Sequence, residues 1–294
     1  MDITNKIFLI VNTYAGNKAG ANAVDVLVPY LLKMGCSVEY SFTKYPEHAT
    51  ELAVKASADG FDLVVAVGGD GTMNEVARGL IGTNTVMGII PIGSGNGLAR
   101  ELGISMNIKE SVRTLIEGKT IHLDVCKLND QRFLCTSGIG FDAMIADKMS
   151  KAHLRGFVKY FQLVMKECFY YKPIDVRIKI DGILIVEPVF LITFANASQF
   201  GNNAFIAPDA SMTDGLIDVV VARKFAKIWM PVFALFLFLK LVPKLPFVDC
   251  YKAKNIELEK ADTPVFHFDG EPGKLKVPAQ IGIDTRKIII RSGK

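Results

Sequence analysis

Short apolar runs alternate with amphipathic stretches along the N-terminal part of the chain. The apolar runs are rich in β-branched residues and predict strands at residues 6–11, 37–42, 63–67 and 86–90. The stretches between and after them predict helices at residues 21–34, 47–58, 73–80 and 98–102. Strands that alternate with helices at this spacing form βαβ units and a parallel sheet. Because open α/β sheets bind ligands at the carboxyl ends of their strands, we expect the glycine-bearing loops after the first, third and fourth strands to face one crevice.

A different pattern begins near residue 123, where short strands are separated by turn residues. Asn129-Asp130 and Asp181-Gly182 are hairpin turn signals. More strand-like stretches follow at residues 216–221, 253–258, 264–268 and 287–291. The pattern predicts an antiparallel β-sandwich or barrel. Two helical segments, at residues 143–171 and 225–241, interrupt it.

The glycine-bearing loop after the third predicted strand, residues 68–75, combines features of an anion site with an unexpected carboxylate. Three glycines in four positions permit positive φ and let another group approach the backbone closely. Thr72 and Glu75 match the capping box that opens a helix. A helix N-terminus next to the bare backbone amides of a glycine loop is an anion-binding site. Asp70 would repel a phosphate there unless a cation lies between them or the carboxylate orients another group. The loop therefore favours a nucleotide–magnesium site, and the simpler alternative is an Asp-Gly turn that joins a strand to a helix.

These patterns predict an α/β plus all-β fold. A chain of 294 residues is too long for one ordinary core. We predict an N-terminal Rossmann-like three-layer α/β nucleotide domain at residues 1–123, joined by the C-terminal tail 282–294. The remainder, residues 124–281, is predicted to form a C-terminal antiparallel β-sandwich domain with the helical insertions.

Composition excludes several classes of protein. Charged residues make up 22% and hydrophobic residues 50% of the chain, and the mean hydropathy is +0.29, which is typical of a rather apolar globular protein. The net charge of +4 is too small to indicate nucleic acid, but it suits an anionic membrane surface or a phosphorylated ligand. Five scattered cysteines without a C-x-x-C pair indicate neither a disulfide framework nor a zinc site. With no signal-peptide layout at the N-terminus, these features predict a cytoplasmic protein.

The glycine motifs match neither of the commonest nucleotide-binding fingerprints. The chain lacks G-x-x-x-x-G-K-[ST], and no G-x-G-x-x-G follows its first strand. It has Gly-Gly-Asp-Gly-Thr at residues 68–72 and Gly-Ser-Gly-Asn-Gly at residues 93–97, followed by further blocks at 137–142, 207–218 and 269–271. In this order, the five blocks resemble the catalytic domain shared by diacylglycerol kinases, sphingosine and ceramide kinases and bacterial lipid kinases. The resemblance covers nearly the whole chain.

The resemblance implies an ATP-dependent kinase that phosphorylates the free hydroxyl of a membrane lipid. Diacylglycerol, giving phosphatidic acid, is the first choice of substrate, and a sphingoid base or phosphatidylglycerol is the alternative. Glu271 matches the general base of the family, and Asp70 matches an essential acid of the glycine loop. The residues implied to contact ATP are Asn12, Thr13, Tyr14, Ala15, Gly16, Thr43, Gly68, Gly69, Asp70, Gly71, Thr72, Met73, Asn74 and Ser94.

The resemblance also implies two roles for Mg²⁺. One ion accompanies ATP. A second, structural ion is implied in the β domain at Ser211, Asp214 and Leu216, where Ser211 and Leu216 would use their backbone carbonyls. Of the four histidines, His267 lies nearest to Glu271 in sequence and is a candidate helper residue.

The chain departs from the family pattern in two loops. Thr13 and Ala15 replace the proline and serine that the family often has in its first loop, so contacts there must come from the backbone. In the second block, Ser94 and Gly97 make the loop look more like that of sphingosine kinases. These departures leave the identity of the lipid open.

Two other functions compete with the lipid kinase. An NAD kinase shares the Gly-Gly-Asp-Gly-Thr loop, but the chain lacks the Asn-Glu pair expected in the second domain and carries the additional Gly-Ser-Gly-Asn block. A non-catalytic lipid- or nucleotide-binding relative is the third hypothesis, and the presence of Asp70, Asp214 and Glu271 argues against it.

The apolar segment 225–241 is too short to span a bilayer, which takes about 20 apolar residues. Lysines and Arg223 flank it, and Trp229 lies near its start. These features fit peripheral docking on an anionic membrane surface, and the alternative is a buried helix of the second domain. Related bacterial enzymes further imply a homodimer.

Overall fold

The computed structural model describes residues 6–15, 19–151, 157–274 and 276–294. In these residues the α-helices are α1 (Ala19–Lys33), α2 (His48–Ala58), α3 (Asp70–Leu80), α4 (Gly97–Glu101), α5 (Ile108–Glu117), α6 (Phe141–Lys151), α7 (Phe157–Cys168) and α8 (Met230–Leu239). The strands are β1 (Lys6–Val11), β2 (Ser37–Phe42), β3 (Leu63–Gly68), β4 (Val86–Pro91), β5 (Lys119–Leu128), β6 (Gln131–Phe133), β7 (Thr136–Gly140), β8 (Ile174–Ile180), β9 (Ile183–Ala195), β10 (Ile217–Arg223), β11 (Val248–Ala253), β12 (Asn255–Ala261), β13 (Val265–Phe268), β14 (Glu271–Lys274) and β15 (Ala279–Ser292).

The first of two compact units runs up to Leu123 and includes Thr285–Lys294. Its parallel strands lie in the order β4-β3-β1-β2. The end of β15 joins this sheet, where Ile290 pairs in parallel with Met87 of β4. All six residues of β3 are buried, which requires cover on both faces of the sheet. The predicted three-layer α/β domain is therefore confirmed.

Two pairs of helices cover this sheet. Leu27 and Leu31 of α1 and Leu115 of α5 form one apolar cluster with Leu9 of β1. Helices α2 and α3 pack on each other and on the strands. They approach closely because Gly79 has no side chain: a Cβ there would lie 2.7 Å from the Cβ of Ala53. Helix α5 was absent from the sequence prediction, although the Asn107 side chain caps its start by accepting a hydrogen bond from Lys109 N at 2.9 Å.

The second unit, Asp124–Asp284, is an antiparallel β structure. Its strands follow the order β14-β13-β7-β9-β8-β12-β15, and β10 pairs with both β9 and β11. Strand β10 alternates between two cores. Its residues Ile217, Val219 and Val221 belong to a cluster of strand residues. The intervening Val220 and Ala222 belong to a second cluster that includes residues of α6 and α8. The predicted β-sandwich with helical insertions is confirmed, with helices on the outer face of one sheet.

The predicted helical segment 143–171 forms two helices, α6 and α7, and residues 152–156 between them lie outside the described residues. The predicted segment 225–241 contains α8, preceded by a short 3-10 turn at Lys227–Trp229. Among the helices described, none is long and apolar enough to cross a membrane.

Candidate active site

Two glycine loops of the first unit touch each other at the carboxyl ends of β3 and β4. A Cβ on Gly93 would lie 2.6 Å from the Cα of Gly69, and one on Gly69 would lie 3.3 Å from the Cα of Gly93. The backbones can therefore approach this closely only because both residues are glycine. Gly68, Gly69 and Gly71 do not have positive φ. Of the two possibilities that these glycines offer, the structure therefore uses the close approach of another backbone and not the positive φ.

Asp70 ties the two loops together with its carboxylate. Its Oδ2 accepts a hydrogen bond from Asn96 N at 2.8 Å, and its Oδ1 accepts one from Gly97 N at 2.6 Å. Gly95 must be small here, since a Cβ would lie 2.6 Å from Asp70 Oδ2. The carboxylate is thus compensated by two backbone amides at the start of α4. The sequence motif predicts a role for Asp70 at the nucleotide, and this contact between the loops is an additional finding.

Asn96 holds the second loop in shape. It is 2% exposed and adopts a left-handed conformation with φ 52°. Its Oδ1 accepts a hydrogen bond from Gly93 N at 3.1 Å, and its Nδ2 donates one to Gly93 O at 2.7 Å. Gly93 and Asn96 were not among the predicted site residues, although the Gly-Ser-Gly-Asn-Gly block that contains them was the signal for them.

The predicted capping box at Thr72 and Glu75 is wrong. Helix α3 begins at Asp70, with Gly69 as its N-cap and no side chain capping it. Thr72 Oγ1 instead accepts a hydrogen bond from Asn12 Nδ2 at 3.0 Å, and Glu75 Oε2 accepts one from Ala49 N at 3.1 Å. The first turn of α3 therefore coincides with the glycine loop. Its amides carry the positive end of the helix dipole without a side-chain cap.

The first loop lies beside this turn. Asn12 Oδ1 accepts a hydrogen bond from Tyr14 N at 3.0 Å, which closes a tight turn after β1. Thr43 follows β2, and its backbone N donates to Val11 O at 2.9 Å. The structure thus brings Asn12 and Thr43 to the same edge of the sheet as the glycine loops. Gly16 of the predicted ATP contacts lies outside the described residues.

The remaining predicted ATP contacts differ in exposure. Tyr14, Gly71 and Ser94 are exposed, and Thr13 and Ala15 are half-buried. Thr72 and Asn74 are buried, and the Met73 side chain is fully buried. Any contact of Met73 with a ligand is therefore restricted to its backbone.

In the second unit, Glu271 is the first residue of β14 and directly follows a tight turn. Asp269 (φ 51°) and Gly270 (φ 84°) form the turn, and Phe268 pairs with Glu271 across it. Two consecutive positive φ angles are typical of the type I′ hairpin that Asp-Gly favours. Glu271 is exposed. The sequence predicts Glu271 in a turn after the strand, and in the structure this residue also begins a further short strand.

Asp269 anchors this turn through its carboxylate. Its Oδ1 accepts hydrogen bonds from Cys135 N at 2.6 Å and Thr136 N at 3.0 Å, and its Oδ2 accepts one from Leu134 N at 2.9 Å. Burial raises the pKa of Asp269, and the three amides oppose this rise. The segment before β7 therefore fixes the turn that carries Glu271.

His267 adds a second anchor. Its ring is buried, and Nε2 lies 3.2 Å from Asp142 Oδ2, which also accepts a hydrogen bond from Thr193 Oγ1 at 3.1 Å. Gly138 leaves room for the pair, because a Cβ there would lie 2.5 Å from Asp142 Oδ2 and 3.1 Å from His267 Nε2. The motif block at residues 137–142 thus builds the support beneath the turn.

The three residues predicted to bind a structural magnesium lie in the segment that leads into β10, which begins at Ile217. Asp214 Oδ1 accepts a hydrogen bond from Leu216 N at 3.0 Å, and Ser211 Oγ lies 3.3 Å from Thr213 Oγ1. Asp214 Oδ2 lies 3.4 Å from the ammonium nitrogen of Lys252. Within the described ranges, no group of three or more His, Cys, Asp or Glu side chains is placed to hold a metal ion. A lysine already supplies positive charge at the one predicted carboxylate ligand, which the implied ion would have to share with it.

The protein combines an α/β domain of the kind that binds nucleotides with a β-sandwich domain. Comparison with known proteins identifies the family that has this combination. The protein-family model described as "Diacylglycerol kinase catalytic domain" matches residues 6–128 of the chain. A second protein-family model, described as "YegS C-terminal NAD kinase beta sandwich-like domain", matches residues 136–289.

Individual relatives agree with these matches. A protein of Mycobacterium tuberculosis named "Diacylglycerol kinase" is 27% identical over 266 residues, which cover 88% of this chain and 82% of the relative. One from Chromohalobacter salexigens named "Probable lipid kinase YegS-like" is 32% identical and covers 75% of this chain and 73% of the relative. A solved structure titled as a diacylglycerol kinase from Bacillus anthracis shares the fold, with a TM-score of 0.80, 24% identity and coverage of 100% of this chain and 98% of that chain. The chain belongs to the family of lipid kinases with a diacylglycerol kinase catalytic domain. It is a lipid kinase, and the NAD kinase hypothesis is set aside.

Proposed function

We propose that this lipid kinase transfers the γ-phosphoryl group of ATP to the free hydroxyl of diacylglycerol and forms phosphatidic acid. The assignment of ATP as the phosphoryl donor rests on the two glycine loops, whose backbones are in close contact at Gly69 and Gly93. They stand at the carboxyl ends of parallel strands, where α/β sheets bind ligands. The names of the relatives support diacylglycerol as the acceptor.

Phosphoryl transfer requires neutralisation and alignment of the phosphates more than covalent chemistry by the protein. We assign this task to the amides at the start of α3, Asp70 to Thr72, which no side chain caps. Asn12, Thr13, Tyr14, Ala15, Thr43 and Ser94 are assigned to the rest of the nucleotide, which is taken up as its magnesium complex. Asp70 supports the site by holding the second glycine loop in place.

Glu271 is assigned as the general base. Its carboxylate accepts the hydroxyl proton of the lipid while the lipid oxygen forms a bond to the γ-phosphorus. The bond from that phosphorus to the β–γ bridging oxygen breaks, and ADP leaves. A positioned base of this kind contributes about 10²–10⁴-fold to the rate. The anchoring of the neighbouring Asp269 by three amides supports this role, because a base must be held still to act.

A direct assay tests the acceptor. The protein is incubated with γ-labelled magnesium-ATP and mixed micelles that contain one lipid at a time: dioleoylglycerol, sphingosine, ceramide or phosphatidylglycerol. The expected result is label in phosphatidic acid and background label in the other products. Labelling of sphingosine or phosphatidylglycerol in preference to dioleoylglycerol would reject the proposed acceptor and select the corresponding alternative.

We further propose that the kinase docks peripherally on an anionic membrane surface through the outer face of residues 225–241. Met230 and Phe233 of this segment are buried and cover the second unit's sheet. Leu235, Phe238 and Leu239 are 54%, 42% and 52% exposed. The two interpretations of the segment thus apply to its opposite faces.

Neighbouring residues extend the apolar surface. Ile228 is 83%, Trp229 41%, Phe169 58% and Tyr170 76% exposed, and Lys227 Nζ donates a hydrogen bond to Phe169 O, which joins the two stretches. Exposed Lys224 and Lys244 flank the segment in sequence. Apolar side chains with basic neighbours fit the interface of an anionic bilayer. The homodimer implied by related bacterial enzymes stays a prediction.

A further inference from the structure

Lys252 lies beside Asp214, the one carboxylate among the residues that the family resemblance implies for a structural metal ion. It lies on β11, directly opposite Asp218 of β10 in the antiparallel register. Its Nζ lies 2.9 Å from Asp218 Oδ2, 3.4 Å from Asp214 Oδ2 and 3.2 Å from the backbone oxygen of Asp209. One ammonium group therefore contacts the loop before β10 at two points and the strand itself at a third.

These three contacts are the kind that a structural cation makes. A divalent ion would join a carboxylate to backbone carbonyls of a loop, and Lys252 joins two carboxylates to one backbone carbonyl. Asp218 is only 14% exposed, and a carboxylate in such a position requires a partner of opposite charge. Lys252 is that partner, because it is paired with Asp218 on the neighbouring strand and the side chains of paired residues lie side by side.

The same geometry disfavours a magnesium ion at Asp214. Oδ1 of this residue accepts the Leu216 amide hydrogen and Oδ2 faces the ammonium group. Magnesium bound to Oδ2 at about 2.1 Å would lie next to a fixed positive charge. Like charges at this separation repel, so the lysine and the ion compete for the carboxylate.

We infer that the Lys252 ammonium serves as the built-in cation of the second unit, in place of the structural magnesium that the family resemblance implies. The second unit folds and keeps its stability without a resident metal. This inference is separate from the proposed reaction, in which magnesium arrives with ATP as part of the substrate.

Thermal unfolding without nucleotide tests the inference on the wild-type chain. The protein is treated with EDTA, and its Tm is compared with that of protein supplied with excess MgCl₂, while metal content is measured by atomic emission. The expected results are equal Tm values and substoichiometric magnesium. A Tm that falls with EDTA and returns with magnesium, or one equivalent of tightly bound magnesium, would overturn the inference.

Three variants test the role of the lysine. Lys252→Gln removes the charge, and Lys252→Arg keeps it. Lys254→Gln is the matched control, because Lys254 is an exposed lysine two positions along the chain. We expect a lower Tm for Lys252→Gln and values near wild type for the other two. A Lys252→Gln protein as stable as the control would contradict the cation role. If Lys252→Gln fails to fold while Lys252→Arg folds, the difference between these two variants supports the requirement for a positive charge at this position.

None of these measurements depends on turnover. A failure of the proposed kinase reaction would appear only in the labelling assay, and a failure of this inference would appear only in the unfolding and metal measurements. The two proposals can therefore be rejected separately.

Discussion

The carboxylate of Asp70 accepts the backbone amide hydrogen of Gly97 at 2.6 Å and so joins two glycine loops that lie far apart in sequence. The contact gives a structural role to the acidic residue of the loop that we propose binds the phosphates. It also removes the need for a metal ion to explain why a carboxylate stands there, since the amides at Asn96 and Gly97 compensate its charge.

Asp70→Asn is expected to weaken both folding and ATP binding. An asparagine offers one acceptor oxygen where two amides require acceptors, so one amide would face the new NH₂ group. Leaving one buried group unsatisfied costs about 1–3 kcal/mol. Urea unfolding and calorimetric titration with ATP measure the two effects. Asp59→Asn, on an exposed aspartate of the same unit, is the control. Weakened ATP binding with unchanged stability would instead favour a role of Asp70 confined to the nucleotide or its magnesium.

Glu271→Gln is expected to lower kcat by about 10²–10⁴-fold and to leave the ATP dissociation constant near its wild-type value. Glutamine keeps the shape of the side chain and lacks a basic carboxylate. The value of kcat is measured by steady-state kinetics with dioleoylglycerol as the acceptor, and the ATP dissociation constant is measured by calorimetry. Glu117→Gln, an exposed glutamate on α5, serves as the matched control. Turnover that survives Glu271→Gln would remove this residue from the mechanism.

Asp269→Asn is expected to reduce turnover and stability together. The carboxylate accepts three backbone hydrogen bonds from Leu134, Cys135 and Thr136, and an asparagine oxygen cannot replace both oxygens. The expected loss in the free energy of unfolding is about 1–3 kcal/mol. Unfolding in urea and the labelling assay are the readouts. Asp262→Asn, on an exposed aspartate just before β13, should change neither. Full activity and stability in Asp269→Asn would show that the anchoring is dispensable.

Serine substitutions at Leu235, Phe238 and Leu239 are expected to weaken binding to phosphatidylglycerol vesicles while the protein stays folded, because these side chains are largely exposed. Vesicle sedimentation and Tm measure the two properties. A triple variant at Leu32, Tyr40 and Val54, exposed apolar residues of the first unit, controls for a general loss of surface hydrophobicity. Equal loss of binding in both triple variants would mean that the contact is not specific to α8.

Phe233→Ser separates the two faces of the same helix. Phe233 is 4% exposed and packs against Phe190, Phe225 and Phe247. Replacing a buried phenylalanine by a much smaller residue typically costs 3–5 kcal/mol. We therefore expect a large fall in Tm, measured by circular dichroism. A stable Phe233→Ser protein with impaired vesicle binding would place this side chain on the membrane surface instead.

The order of elements could be predicted from the sequence because it depends on neighbours in the chain. The all-apolar run of β3 and the alternation of strands with helices indicate a covered parallel sheet. Turn residues such as Asp269 and Gly270 mark a hairpin through their own backbone preferences. Five motif blocks in a known order indicated the family. The start of α3 was misjudged because Thr72 and Glu75 find partners outside their own helix, which no local pattern reveals.

The segment from Gly68 to Glu75 illustrates how far its own residues predict its structure. By itself the sequence determined a strand, a glycine loop and a helix at this point, since each follows from the residues within it. Only the tertiary structure decided that Asp70 binds the amides of Asn96 and Gly97, that Gly69 lies against Gly93, and that Lys252 stands opposite Asp218. These pairings depend on strand order and register, which are set by the packing of the whole core. A motif therefore names the groups that a site contains, and the packing determines which of them meet.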